Sequence, residues 1–178
     1  MKKLFTLTLI LLMLASNCFA MIEKNQVEIG GIKLLDSYKL VKKIYGEPNK
    51  IESRVLTDGA SRQISKGSIL YNWYYGDSFE IEFIVMALKP YRLGGKDFDD
   101  IIVGISSSKN NGIKTADGVS VGMRSDILWN KYGIPDKLSG DNSKKYYRYT
   151  CDTGLTYEYL VFTVENGIIT KMSIGGEY

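Results

Sequence analysis

Two of the three prolines in this chain stand in the same phrase, 87 residues apart. Tyr45-Gly46-Glu47-Pro48-Asn49-Lys50-Ile51 is answered by Tyr132-Gly133-Ile134-Pro135-Asp136-Lys137-Leu138. The match runs backward without a gap: Gly31 falls on Gly118, Ile32 on Val119, Leu34 on Val121, and Leu40-Val41 on Ile127-Leu128. Self-similarity at a fixed spacing is the signature of one folding unit used more than once. The chain is therefore expected to hold two similar units, residues 21–108 and 109–178, after a leader of residues 1–20.

The leader is read from its charge and length. Lys2 and Lys3 form a positive start, Leu4 to Leu14 is apolar, and Cys18-Phe19-Ala20 supplies small residues for cleavage after Ala20. Spanning a bilayer takes ~20 apolar residues, more than this run offers. A signal peptide and a secreted or periplasmic location are the expectation. Lipidation of Cys18 is an alternative, but Asn17 is bulky for the position before an acylated cysteine. Without residues 1–20 the basic count falls from 23 to 21 against 20 acids, a net of +1. So balanced a chain lacks the electrostatic footprint of a nucleic-acid or anionic-membrane binder. Cys151 is then the sole cysteine, so no internal disulfide is expected, and it reads as a small buried apolar residue. Histidine is absent, which removes the commonest general base and zinc ligand. No cofactor is implied.

Each unit opens with an extended segment (Val27, Ile29, Ile32 and Leu34; then Val119 and Val121) and continues into a short helix. Leu40, Val41, Ile44 and Tyr45 make one apolar helix stripe, and Ile127, Leu128 and Tyr132 make the other. Asp36 or Ser37, and Ser125, are the expected caps. Lys43 and Lys131 suit the negative helix ends, Gly46 and Gly133 the left-handed position beyond, and Pro48 and Pro135 the stop. Three antiparallel strands are expected to follow each helix. In the first unit they are 69–75, 79–88 and 99–107, the last with Ile101, Val103 and Ile105 on one face. In the second they are 145–151, 155–164 and 168–174, with a tight hairpin at Asn166-Gly167. The segments 58–67 and 86–100 read as insertions of the first unit. The fold class is α+β: two similar units, each a short strand and helix packed on an antiparallel meander.

This pattern resembles the outer-membrane assembly lipoproteins of the SmpA/OmlA (BamE) type. It is also similar to the β-lactamase inhibitor protein, which uses two such units in tandem. The residues carrying the resemblance are Gly118-Val119-Ser120-Val121-Gly122-Met123, Tyr132-Gly133-Ile134-Pro135 and Phe162-Thr163-Val164-Glu165-Asn166-Gly167-Ile168-Ile169. They cover most of the second unit, whereas the first matches only from Gly31 to Ile51. The resemblance implies an envelope location and protein binding without catalysis; function still has to be argued from a site.

Catalytic constellations are sparse. Ser106-Ser107-Ser108-Lys109 has the serine–lysine spacing of penicillin-recognising enzymes, but it follows a strand and runs into turn residues. Glu80 and Glu82 alternate on a strand and share a face, whereas a glycosidase pair faces across a cleft. Asp97, Asp99 and Asp100 are weak calcium candidates, without the spacing of a calcium loop. Aromatic residues lead further. Tyr71, Trp73 and Tyr75 alternate on one strand and Tyr147 and Tyr149 on another, with Tyr157 and Tyr159 on the strand beside it. If they face away from the helices they form an exposed binding patch; if toward them, they are the core, with Asn72, Tyr74 and Arg148 outside. The expected function is a protein-binding module, inhibitor-like or an accessory of envelope assembly, with another envelope or secreted protein as partner. An enzyme using carboxylates or a Ser-Lys pair, and a structural envelope protein without a specific ligand, are the alternatives.

Overall fold

The computed structural model describes residues 21–55, 69–87, 100–154 and 156–177. The leader, Cys18, Asp97 and Asp99 lie outside the described residues. The chain order is β1 (Glu28–Ile29), β2 (Ile32–Lys33), α1 (Tyr38–Tyr45), β3 (Lys50–Val55), β4 (Ile69–Tyr75), β5 (Ile81–Ala87) and β6 (Ile101–Ser107). Then come α2 (Ile127–Tyr132), β7 (Lys137–Gly140), β8 (Lys144–Asp152), β9 (Tyr157–Glu165) and β10 (Ile168–Glu177). The class is α+β or mainly β, dominated among the described residues by an antiparallel sheet of eight strands in the order β3-β4-β5-β6-β10-β9-β8-β7. Four strands follow each helix, where three were expected. The added ones, β3 and β7, are exposed edge strands and lack the apolar alternation that marks a half-buried strand. Each four-strand run starts at an outer edge and ends at the centre, where β6 pairs with β10.

Matching local contacts occur at the two helices. Leu35 N–H donates to the Ile102 carbonyl and Gly122 N–H to that of Ile169, both at 2.8 Å. Ile102 N–H returns a bond to Asp36, as Ile169 N–H does to Met123, each at 2.9 Å. These bonds clamp the entrance of each helix to the start of a central strand. The exits match too: Gly46 N–H donates to the Lys42 carbonyl at 2.9 Å, and Gly133 N–H to that of Trp129 at 3.0 Å. Both glycines have positive φ, at 78° and 73°, but with ψ of −155° and −148°. This is not the left-handed helical conformation expected from the sequence but extended backbone at positive φ, near a region essentially reserved for glycine. Ser37 caps α1, accepting from Lys39 N–H at 3.3 Å. For α2 the cap position is Asp126 rather than Ser125, and its side chain makes no capping bond.

Each helix ends on a matching aromatic cluster. Tyr45 packs against Tyr75 and Phe83 with ring centroids 5.7 and 5.2 Å away; Tyr132 packs against Tyr149 and Phe162 at 5.2 and 5.4 Å. Offset or tilted rings at such distances add to the stabilisation from burial alone. The Tyr75 hydroxyl donates to the Gly46 carbonyl at 3.1 Å and the Tyr149 hydroxyl to that of Gly133 at 3.5 Å, tying sheet to helix end. Asn49 accepts from Gly76 N–H, and Asp136 from Thr150 N–H, just beyond those tyrosines.

The core lies between the helices and one sheet face, filled by Val41, Phe83, Ile102, Leu128, Leu160, Phe162, Ile169 and Met172. Leu128, Tyr132 and Val41 follow the expected helix stripes, but Ile44 is exposed. In β6 the register slips: Ile84 pairs with Gly104 while Val85 pairs with Ile102, leaving Val103 as the extra residue of a bulge. The buried apolar side chains of β6 are therefore Ile102 and Ile105, not the Ile101, Val103 and Ile105 face that strict alternation predicts. Cys151 is buried, and across from it on β9 sits Glu158, a carboxylate only 3% exposed. The amino-terminal arm closes this end of the core: Ile22 and Val27 are buried, and Ile22 N–H donates to the Thr150 carbonyl at 3.2 Å. Among the described residues no helix is long and apolar enough to cross a membrane.

Candidate functional site

Both helices lie on one side of the sheet, so their position decides what the other side presents. Trp73, Tyr75, Tyr147 and Tyr149 are buried on the helix side, with Tyr71 partly buried beside them. Tyr38 meets the Trp73 ring edge-on at 5.7 Å. The exposed-patch reading of Tyr71, Trp73, Tyr75, Tyr147 and Tyr149 is corrected by this placement: these rings are the packing surface for the helices. Burial raises the Tyr75 hydroxyl, with the Glu47 charge adding to it, to a pKa of about 12. It pushes the Tyr132 and Tyr149 hydroxyls up as well. Tyr157 and Tyr159 lie on the opposite face from Tyr147 and Tyr149, because Tyr149 pairs with Leu160 and β9 turns Leu160, Phe162 and Val164 inward.

The helix-free face is built from the other alternation. From β4 and β5 it carries Asn72, Tyr74, Glu82 and Ile84; from β6 and β10 Gly104, Ser106, Ser173 and Gly175; from β9 and β8 Tyr159, Val161 and Arg148. Cross-strand register links them in rows. Tyr74, Glu82, Ser106 and Ser173 are successive partners, as are Asn72, Ile84, Gly104, Gly175 and Tyr159. The Gly104–Gly175 pair lies on the central seam, where the absence of side chains leaves room for neighbours. A Cβ on Gly104 would come 3.0 Å from the Ile84 side chain, and one on Gly175 2.9 Å from the Tyr159 ring. The seam glycines thus let Ile84 and Tyr159 lie across the sheet.

Polar groups on this face are held by one another. Asn72 Nδ2 donates to Glu82 Oε1 at 2.9 Å, and Ser106 Oγ donates to Glu82 Oε2 at 3.4 Å. The Tyr74 hydroxyl donates to Glu52, which also pairs with Lys50 at 2.6 Å. The Lys50 ammonium is the principal cause holding the exposed Glu52 carboxyl below its ordinary range. Across the seam the Arg148 guanidinium stacks 4.3 Å over Tyr159 and meets Glu177 at 3.0 Å. Planar stacking with a carboxylate at one end fixes the arginine better than charge alone. The buried Asn72 Oδ1 has no hydrogen-bond partner among the described residues.

The other candidates are scattered. Ser106 bonds Glu82, Ser107 exchanges bonds with Asn111, and Ser108 donates to the Glu80 carbonyl. Among the described residues none of the three bonds Lys109. Glu80 precedes β5 and accepts from Ser78 N–H at 3.0 Å, and backbone N–H donors hold its carboxyl below the ordinary value. Glu82 alone reaches the helix-free face. Asp100 lies before β6, where its carbonyl accepts from Tyr38 N–H at 3.2 Å. No group of three or more potential metal ligands occurs among the described residues. The Arg148–Tyr159 stack and the Asn72–Glu82–Ser106 cluster were not assembled from the sequence. The inward run Leu160, Phe162, Val164 is the signal that could have put Tyr159 outside.

No family model matches the chain, and no curated protein matches it. Three solved structures are similar. A DUF4309-family protein of Bacillus subtilis is 13% identical with a TM-score of 0.38, covering 80% of this chain and 79% of that one. A cysteine-rich secretory protein of Staphylococcus aureus is 13% identical with a TM-score of 0.43, covering 85% of this chain and 46% of that one, so the chain spans about half its length. A candidate β-lactamase inhibitor protein of Streptococcus mutans is 16% identical with a TM-score of 0.27, covering 78% and 81%. A BamE-type protein is not among these three.

Proposed function

We propose that this chain is an exported, non-catalytic protein-binding module, built as two tandem units that share one sheet, with the helix-free face as its recognition surface. The observation that carries this reading is the self-supported cluster Asn72–Glu82–Ser106 and the stacked pair Arg148–Tyr159 on either side of a glycine seam. Tyrosine, asparagine, serine and glycine, with arginine at hot spots, are enriched in the recognition loops of antibodies. Tyrosine buries large area at modest entropic cost, and arginine is enriched at binding hot spots. Here their side chains are already held in place, so less ordering is lost on binding. The tandem reading is supported by matching helix-entry bonds and aromatic clusters, whose helix-side members stand 87 residues apart. Export is supported by the leader of residues 1–20. The partner is another secreted or envelope protein.

The test is capture from an envelope extract with wild type, Tyr159→Ala and Arg148→Ala, alongside Lys43→Ala as a control on the helix side. One dominant partner held by wild type and the control, and lost by both face variants, is the expected result. Retention by the face variants would move the site elsewhere. Capture of nothing by wild type would favour a structural envelope protein without a specific ligand. Amino-terminal sequencing of the exported protein is expected to begin at Met21.

A further inference from the structure

The second unit carries an extension that the first lacks. Tyr75 and Tyr149 hold matching places, each reaching the glycine at its helix end. In the first unit the ladder stops there: Tyr75 pairs with Ile81, and β4 ends. In the second, Tyr149 pairs with Leu160, and the ladder runs on through Thr150–Tyr159, Cys151–Glu158 and Asp152–Tyr157. The first unit completes its hairpin without such pairs. This extension puts Glu158 on the core side of β9, 3% exposed, in line with Leu160, Phe162 and Val164. An apolar residue would serve the packing there. Acids held in such surroundings concentrate at functional sites.

Glu158 is covered by the amino-terminal arm, residues 21–27. β7 accompanies β8 only from Lys145 to Arg148, which leaves the edge beyond it for another segment. The arm takes that edge: Ile22 N–H donates to the Thr150 carbonyl at 3.2 Å, while Asp136 accepts from Thr150 N–H. Ile22 and Val27 are buried against the core. A short turn at Lys24–Gln26 lies between them, and Gln26 Nε2 donates to Asp117 Oδ2 at 3.0 Å. The charged and titratable groups around Glu158 are Lys24 on the arm and Cys151 and Asp152 on β8; Gly176, its partner on β10, adds none.

Closing the arm over an ionised Glu158 takes most of its hydration away and gives it no hydrogen bond among the described residues. A protonated Glu158 costs much less to cover. The closed arm therefore favours the protonated acid. Its stability is complete below the value the acid has with the arm open, and is lost as pH rises through the higher value of the closed state. Lys24 opposes this, but burial is the larger influence. The Gln26–Asp117 bond persists as pH rises, because an ionised carboxylate is the stronger acceptor.

We propose that residues 21–27 form a strap that is closed in acid and lifts as pH rises, driven by ionisation of Glu158 beneath it, baring the β8 edge at Thr150. The strap is separate from the helix-free face and does not depend on it.

Amide exchange in the exported chain, with intrinsic rates divided out, reads the strap at Ile22 N–H. Ile22 is expected to be far less protected than Phe162 in β9, because the arm opens without the rest of the sheet. Its protection should fall severalfold from acid to neutral pH in wild type and stay constant in Glu158→Gln. Cys151, the sole cysteine after the leader, gives a second reading through alkylation by uncharged iodoacetamide at neutral pH. The Glu158 charge disfavours the thiolate, so electrostatics alone would make wild type react more slowly than Glu158→Gln. A lifting strap makes wild type the faster. Ile22 protection equal to that of Phe162, protection that is flat or rises with pH, the same fall in Glu158→Gln, or slower alkylation of wild type would each overturn the proposal.

Discussion

Glu158 offers the sharpest test of the packing. Its side chain points to the core side of β9, opposite Cys151, beneath the arm that carries Ile22 and Val27. Among the described residues no hydrogen bond or ion pair reaches its carboxylate. Desolvation pushes its pKa up, and the positive charge of Lys24 opposes this in part. A carboxyl whose value is higher in the folded than in the unfolded chain holds its proton longer in the native protein. The stability resting on that proton is complete below the unfolded value and is lost as pH rises through the folded one. The carboxylate oxygens are not fully closed off from solvent, so the cost falls toward the low end of the about 1–3 kcal/mol of a buried polar group without a partner. Glu158→Gln keeps the shape and removes the charge, but its amide also lacks partners, so only part of that cost returns. The variant is expected to be more stable than wild type by about 1 kcal/mol at neutral pH, with the advantage vanishing in acid. For a chain of this size that is a rise in Tm of about 2–4 °C. Urea unfolding of both proteins from acid to neutral pH measures it. An advantage that does not grow with pH, or a less stable variant at neutral pH, would refute the reasoning and make attraction to Lys24 the dominant effect.

The remaining predictions concern packing and the seam. Phe162→Ala removes a fully buried ring that touches Tyr132 and Tyr149, and should cost about 3–5 kcal/mol in denaturant unfolding. Tyr132→Phe deletes the 2.7 Å bond between its hydroxyl and Thr115 Oγ1; about 1 kcal/mol should be lost, since Thr115 Oγ1 still accepts from Val119 N–H. Gly175→Ala forces a Cβ against the Tyr159 ring, so a loss of about 1–3 kcal/mol and a weakened partner capture should appear together. Gly167→Ala places a side chain at φ 77° in the two-residue hairpin; unfolding should show a loss of about 1 kcal/mol with the partner surface intact.

What the sequence determined by itself is what short-range chemistry controls. Gly46 and Gly133 end helices because positive φ is cheap only without a Cβ, and Pro48 and Pro135 keep those helices from resuming. Asn166 and Gly167, at φ of 51° and 77°, turn the β9–β10 hairpin because that twist suits the flanking strands. Leu128 and Tyr132 announce their burial by helical spacing. None of this says which side of a strand is inside when both sides are aromatic, as in Trp73-Tyr74-Tyr75. Only the landing of α1 on Trp73 and Tyr75 decided that, leaving Tyr74 outside. The bulge at Val103 reversed the local alternation through a register set by β5, a strand separated from β6 by residues 88–100. The Gly104–Gly175 seam and the rings over it come from β6 pairing with β10, which no local pattern encodes. Turns and caps are fixed by the bonds of a few neighbouring residues. Faces and seams are fixed by contacts between distant segments, and those exist only once the sheet has closed.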